Sequence, residues 1–384
     1  MTRRRDLAPV TDWLLHEGRF ADDLSTLADG LAQQLVIAGV SLWRLRLGIR
    51  TLHPLIAALS GAWERDGGVI PVPKAQHGLE TRSTYIGSPL AIIQQTGEPF
   101  RRDLRQPLGP DDHTVLKELK DRGATDYFGL PMRFSTNPGG LMVLVTDHPD
   151  GFDDHDIAMF TDLAKALAPV AEVIRLKHAT HAITAAYLGP RSAERVLSGQ
   201  ITRGHVEKIR AAILFSDIRG WTALSAAQEP EETVAIANRY FEVMEQAITA
   251  QGGEILKLMG DGILAIFPDD DAKGAVTAAL SAAQAAHEAA KNADPPLGIR
   301  FSTAMHVGDV LYGNIGSEAR LDFTVLGPAV NLAARLDSLC STYDRHILFS
   351  EEFATQLSQR TEKLGMERIK GLDVPQAVYS LPLT

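Results

Sequence analysis

Apolar residues recur along the chain with two periods, and the places where the period changes divide it. Leu24, Leu27, Leu31 and Leu35 fall at helical spacing, which predicts an amphipathic helix. Val40-Ser41-Leu42-Trp43-Arg44-Leu45 then alternates with a period of two, as a half-buried strand does. A long middle punctuated by glycine and proline follows. Tyr127–Met132 and Gly140–Val145 predict two strands joined through the turn at Asn137-Pro138-Gly139. Asp153-Asp154 place carboxylates where they favour a helix start, and Ile157, Phe160, Leu163, Leu167 and Val170 then draw a long apolar stripe, continuing through Val173 and Ile174. Such a helix suits a dimeric signalling element, and it equally suits a cover for its own domain's core. Pro190 breaks the stripe within Tyr187–Ser192. A short helix near Ser192–Leu197 and a glycine-bearing connection lead on to Ala211.

In the C-terminal half, Ala211–Ser216 is a short apolar run, a buried strand, ending at Asp217-Ile218-Arg219-Gly220-Trp221-Thr222. A carboxylate at the end of a buried strand, followed by a glycine turn, is a common way to hold a metal, and backbone N–H groups in such a turn cradle phosphates. Pro230 opens a helix whose apolar face includes Val234, Ala237, Phe241, Met244 and Ile248, and Gly252-Gly253 ends it. Ile255–Met259 and Ile263–Phe267 flank Gly260-Asp261-Gly262. Asp-Gly between two strand-like runs is a strong hairpin signal, which puts Asp261 at the tip. Residues 272–290 are Ala-rich and helical in composition. Ile299–His306 and Asp309–Tyr312 predict two strands, Asn314-Ile315-Gly316 a turn, and Phe323–Leu326 an extended segment. Pro328 starts a helix bearing Val330, Asn331, Ala334, Arg335 and Leu336. The order βαββαβ, with additions, is that of a ferredoxin-like split sandwich, so the expected fold class is α+β.

Two aspartates offered by adjacent strands can bind two divalent cations about 3.5–4 Å apart, enough for two-metal phosphoryl chemistry. Magnesium prefers carboxylates together with substrate phosphates. Asn331 and Arg335 lie four apart and project from one helix face. The planar, always charged guanidinium suits phosphoryl oxygens. A strand-end aspartate alone is usually a turn former and a helical arginine alone is usually solvated. Their joint order along one domain is what carries the signal.

Bulk properties narrow the picture. The 384 residues are ample for two or three domains, and 45% hydrophobic with 22% charged residues is ordinary for a globular protein. The formal net charge of −10, with no basic run beyond Arg3-Arg4-Arg5, speaks against a nucleic-acid partner. Cys340 is the single cysteine, so no intrachain disulfide forms and a reducing compartment is expected. No signal-peptide pattern and no run of roughly 18–20 apolar residues occurs. The expectation is a cytoplasmic protein without a membrane span.

Phe215–Thr222 resembles the opening motif of class III adenylate/guanylate cyclases, and Lys257-Leu258-Met259-Gly260-Asp261 resembles their second motif. Gly313–Gly316, Phe323–Gly327 and Val330–Arg335 resemble the remainder, and the likeness spans about residues 205–384. Trp221 stands where the family usually has phenylalanine. The resemblance implies that Asp217 and Asp261, with Ile218, hold two Mg²⁺ or Mn²⁺ ions. It implies that Ile218, Gly220 and Thr222 lie at the triphosphate, that Asn331 orients the ribose, and that Arg335 stabilises the phosphoryl group in transit. Lys370 resembles a late phosphate-binding lysine. Lys257 and Thr324 would read the base: a lysine donates to adenine N1, and a threonine hydroxyl accepts from the exocyclic amine. Guanylate cyclases of the family carry an acidic residue and usually cysteine there. ATP is therefore the expected substrate, with guanylate cyclase activity or a silent cyclase-like dimerisation module as the alternatives. Threonine at position 324 resembles the subgroup described as responsive to bicarbonate. In the family the site lies between two catalytic domains, one giving the aspartates and the other Lys257, Thr324, Asn331 and Arg335. One domain bearing the full set implies a homodimer.

The N-terminal pattern of helix, strand, variable middle, two strands and long exit helix resembles a GAF-type sensor, an α/β domain. Trp43, Trp63, Tyr85 and Tyr127 are candidate pocket residues, more readily explained as core packing, and His77 and His113 are more readily explained as solvated loop residues than as ligands. An unknown small molecule or signal is the implied partner. The expected domains are 1–175 (sensor with exit helix), 176–204 (helical transducer) and 205–384 (cyclase).

Overall fold

The computed structural model describes residues 6–136, 139–268, 272–293, 298–369 and 374–383. Arg3–Arg5, the Asn137-Pro138 turn and Lys370 lie outside the described residues. Two compact units divide between Ile183 and Thr184.

The first unit contains α1 (Ala8–His16), α2 (Leu24–Ile37), β1 (Arg44–Arg50), β2 (Ile56–Glu64), β3 (Gly68–Ile70), β4 (Ala75–Gln76), α3 (Pro89–Thr96), β5 (Phe100–Asp103), α4 (Thr114–Asp121), β6 (Asp126–Met132), β7 (Gly140–Thr146) and α5 (Asp154–Leu188). The sheet order is β3-β2-β1-β7-β6-β5, with β4 beside β2. Every pairing is antiparallel. One face carries Leu45, Leu47, Met142, Leu144, Phe128 and Leu130, which pack with Leu27, Leu31 and Leu35 of α2 and Phe160, Leu163 and Leu167 of α5 in one core. Each such side chain contributes roughly 1.5–3 kcal/mol on burial. Asp23 caps α2, its Oδ1 accepting from the Thr26 N–H at 2.8 Å.

Two expectations about this unit change, and one about its tryptophans holds. The strand begins at Arg44, not Val40. The preceding residues close α2: Gly39 takes φ 86°, its N–H reaches Val36 O, and the Val40 N–H reaches Leu35 O, the two bonds of a Schellman turn. Val173 leaves the α5 stripe, being 46% exposed. Arg175 is buried instead, its Nη2 donating to Thr136 Oγ1 at 2.7 Å. Trp43 and Trp63 are buried in separate core clusters, as packing residues.

The second unit contains α6 (Pro190–Leu197), β8 (Val206–Ile218), α7 (Trp221–Ala227), α8 (Pro230–Ala250), β9 (Glu254–Met259), β10 (Gly262–Pro268), α9 (Ala272–Asn292), β11 (Phe301–Gly316), β12 (Leu321–Leu326), α10 (Pro328–Leu339), β13 (Ile347–Ser350), α11 (Glu351–Ala354), β14 (Glu362–Glu367) and β15 (Gln376–Ser380). The sheet order is β14-β15-β13-β11-β8-β10-β9, with β12 beside β11. Within it, β8-α8-β9-β10-α9-β11 forms the antiparallel order β11-β8-β10-β9 of a split sandwich. β13 is parallel to β11. One face buries Tyr240, Met244 and Ile248 of α8 and Val276, Leu280 and Ala283 of α9 against Leu214, Ile263 and Phe301. The other carries Ile213, Leu264, Val310 and Val325 under Val330 and Ala333 of α10.

Here too the sheet overrides local reading. The two strands expected at 299–312 and the turn at Asn314–Gly316 are one continuous strand of 16 residues. Its partner β8 runs 13 residues, longer than the apolar run 211–216, and pairs with it from Phe301↔Ile218 to Gly313↔Val206. Val234, expected on the buried face of α8, is 58% exposed, while Tyr240 is fully buried.

Candidate active site

β8 and β10 pair so that Gly262 stands opposite Asp217. The hairpin joining β9 to β10 turns on Gly260 and Asp261, with Met259 opposite Gly262. Gly260 takes φ 66°, so the glycine sits first in the turn and Asp261 second, rather than the Asp-Gly pair the sequence suggests. Asp261 thereby hangs over the end of β8, its carboxyl in hydrogen-bonding contact with that of Asp217. A side chain at position 262 would crowd the site: a Cβ there would lie 3.2 Å from Asp217 Oδ1.

Burial, then the adjacent Asp261 charge, push the Asp217 carboxyl up to about 7, and Asp337 adds to the effect. The Ile218 N–H opposes this by bonding to the same carboxyl. Two neighbouring carboxyls fit a hard divalent cation, whose charge would relieve their repulsion. Among the described residues no group of three or more His, Cys, Asp or Glu forms a complete metal cage. That suits a site completed by phosphate oxygens and water. Gly220, at φ 72°, ends the loop after β8 and starts α7 without a side-chain cap. Thr222 is exposed in the first turn of α7. Arg219 anchors the loop from below, its Nη2 donating to Cys340 O at 2.8 Å and to Arg345 O.

Lys257 lies on β9, and its Nζ donates to Asp322 Oδ2 on β12 at 2.7 Å. Asp322 and Thr324 are two apart on one strand and share a face, so the pair sets Lys257 beside Thr324. Thr324 is 5% exposed. Asn331 and Arg335 are exposed on α10, and neither side chain has an ion pair or hydrogen bond among the described residues. Asp337 faces the aspartate pair from the same helix. At 3.6 residues per turn, Arg335 is turned about 200° from Asp337. Asn331 and Arg335 therefore point away from the carboxylates of their own chain.

Residues 205–381 match the model of the adenylate and guanylate cyclase catalytic domain. The C-terminal unit is a class III cyclase catalytic domain. An adenylate cyclase of Anabaena cylindrica is 37% identical over 184 residues, 45% of this chain and 36% of its own length. Adenylate cyclase 1 of Rhizobium meliloti (strain 1021) is 26% identical over 250 residues, 62% of this chain and 38% of its own length. Among solved structures, an adenylyl cyclase from P. aeruginosa aligns at a TM-score of 0.42 and 27% identity, covering 47% of this chain and 97% of that one. The chain thus spans little more than a third of either curated relative.

Three groups around the cyclase domain's site escaped the sequence reading. Asp337 accepts from Ser302 Oγ at 2.8 Å, and burial raises its carboxyl above the usual range. Asp322 is the partner of Lys257. Beneath Asp217, Tyr240 donates to Ser216 Oγ at 2.8 Å and Ser216 to Ser302 O at 2.6 Å, a buried chain that fixes the end of β8. The period-two pattern of β12 was the available signal for Asp322. Asp337 carried none, because its role depends on where α10 lies on the sheet.

Proposed function

We propose that the chain is an adenylate cyclase, converting ATP to 3′,5′-cyclic AMP and pyrophosphate at a site shared by two copies, under control of its N-terminal unit. The observation that carries this reading is the opposed orientation of two half-sites on one chain: carboxylates at Asp217 and Asp261, and Asn331 with Arg335 turned away from them. A single copy presents both halves but joins neither, and a two-fold pair of copies completes two equivalent sites.

In this reading Asp217 and Asp261 hold the cations, which when bound neutralise triphosphate charge and lower the pKa of the attacking 3′-hydroxyl. The Gly220 turn and Thr222 lie beside the phosphates. The partner copy brings Arg335 to the oxygens of the phosphoryl group in transit, where a preorganised guanidinium stabilises the developing charge. Asn331 orients the ribose. Lys257 uses one of its three donors on Asp322, leaving others for adenine N1, and Thr324 takes the exocyclic amine. Guanine presents a donor at N1, which repels an ammonium group, so ATP is favoured over GTP.

The purified chain incubated with ATP or GTP and Mn²⁺ or Mg²⁺ yields cyclic AMP by mass spectrometry and little cyclic GMP. Asp217→Ala and Arg335→Ala are each inactive alone and recover activity when mixed, because the mixed pair retains one intact site. Confirmed heterodimers without recovered activity would refute the shared site; cyclic GMP as the main product would refute the base assignment.

A further inference from the structure

The first unit's sheet has a second face that its helical core does not use. Arg44, Arg46, Gly48 and Arg50 alternate along β1 and share it. β1 is a central strand between β2 and β7, so these arginines stand in the middle of the sheet. Residues of α3, α4 and the segment around Lys74 and Arg82 join the sheet in lining a partly open cavity of about 940 Å³. That is the size of a small-molecule site. Ile93, Leu119, Tyr127 and Val143 supply apolar wall.

Among the described residues, the wall carries Arg44, Arg46, Arg50, Lys74, Arg82 and Arg133 against the single carboxylate of Glu98. Two of these charges are answered. Arg44 pairs with Glu64 at 3.2 Å, and Arg50 with Glu80. Arg46 is different: its Nη2 reaches Ser60 Oγ at 3.3 Å, and among the described residues its buried Nε has no partner and no carboxylate lies within ion-pair distance. Burial and the neighbouring Arg44 both pull its guanidinium below the usual range. A half-buried cation beside a second cation is a cost that an apolar residue of similar size would avoid. Such a cost is typical of a site that waits for a counter-charge.

We propose that this cavity binds a small organic anion, an oxyanion head group on an apolar ring or chain, with Arg46 as the residue that takes the head group. The guanidinium fork offers paired donors to a carboxylate, phosphate or sulfonate. The apolar wall takes the body.

The test uses the full chain and two fluorescent probes of the same shape. 8-Anilinonaphthalene-1-sulfonate carries the anion; N-phenyl-1-naphthylamine is its neutral counterpart. The sulfonate binds saturably at one site per chain, and Arg46→Met weakens it by at least about tenfold while the neutral probe is held as before. Arg46→Lys, which keeps the charge but loses the fork, falls between. The ligand-free Arg46→Met protein melts at or above the wild-type temperature, because an unanswered half-buried charge has been removed. Sulfonate binding within twofold of wild type in Arg46→Met, equal weakening of both probes, or a lowered melting temperature marks Arg46 as structural and overturns the proposal.

Discussion

Each sheet of this protein concentrates like charge on one side, and the two do it in opposite ways. The C-terminal sheet gathers Asp217 at a strand end and Asp261 at a hairpin tip, with Asp337 added from α10, and the Asp217 carboxyl is pushed up to about 7. The N-terminal sheet gathers Arg44, Arg46 and Arg50 within a central strand, along the wall of a partly open cavity. Folding alone favours neither cluster at its centre, where Asp217 meets Asp261 and Arg46 lies beside Arg44 without a carboxylate of its own among the described residues. The difference lies in how the charge is presented. Strand-end carboxylates can move with a turn to meet a cation. In-strand arginines are fixed by the ladder, so their ligand must come to them.

The largest test of this contrast is Asp217→Asn. It lowers the proposed cyclase activity by at least about a hundredfold. It also raises the melting temperature of metal-free protein by a few degrees, because the repulsion with Asp261 disappears. A melting temperature that falls would show that the acidic cluster is not strained and would remove its likeness to Arg46. The next effect concerns a polar cluster that is fully answered. Glu254 is buried, accepting from Ser192 Oγ at 2.6 Å and Tyr312 Oη at 2.8 Å, which ties α6 to the sheet. Arg195 of α6 packs 4.9 Å over the Tyr312 ring. Glu254→Ala strands both donors and destabilises the C-terminal unit by about 2–3 kcal/mol in urea unfolding, opposite in sign to the two relieved charges. A neutral result would mean that α6 is not held by this network.

The smallest effect sharpens the electrostatics of the same unit. Burial pulls His306 down to about 4 and His287 to about 3, from a usual 6.5. Below about 6.5 the unfolded chain takes protons that the folded chain refuses. These histidines' contribution is therefore complete above pH 6.5 and is lost as pH falls toward 4, by up to about 1.4 kcal/mol per pH unit per group. His306→Gln, which keeps a partner for Ser350 Oγ, flattens that slope between pH 6.5 and 4.5 relative to wild type. An unchanged slope would place the acid sensitivity elsewhere.

Several elements were legible from pattern alone. The α2 leucines, the β6–β7 pair and the Asp261 hairpin follow from local period and turn chemistry, which act over a few residues. The strand limits were not. Val40 reads as strand but completes the cap of α2. Val307 and Gly308 read as a break between strands, yet β8 pairs with β11 from Phe301 to Gly313 and carries it through. Val173 and Val234 read as core by spacing, but their helices turn other residues inward.

The same division governs function. The sequence by itself determined which acidic, basic and amide groups the C-terminal unit possesses and the order in which the chain offers them, because motif spacing is a property of the covalent chain. Tertiary structure decided what those groups meet: Asp337 with Asp217, Lys257 with Asp322, Asn331 and Arg335 with neither. It alone decided the fate of Arg44, Arg46 and Arg50. An alternating strand signals one buried and one solvated face. Whether the polar face meets water or a partly open cavity depends on α3, α4 and the segment between Lys74 and Arg82, and contacts so distant along the chain leave no trace in the alternation itself.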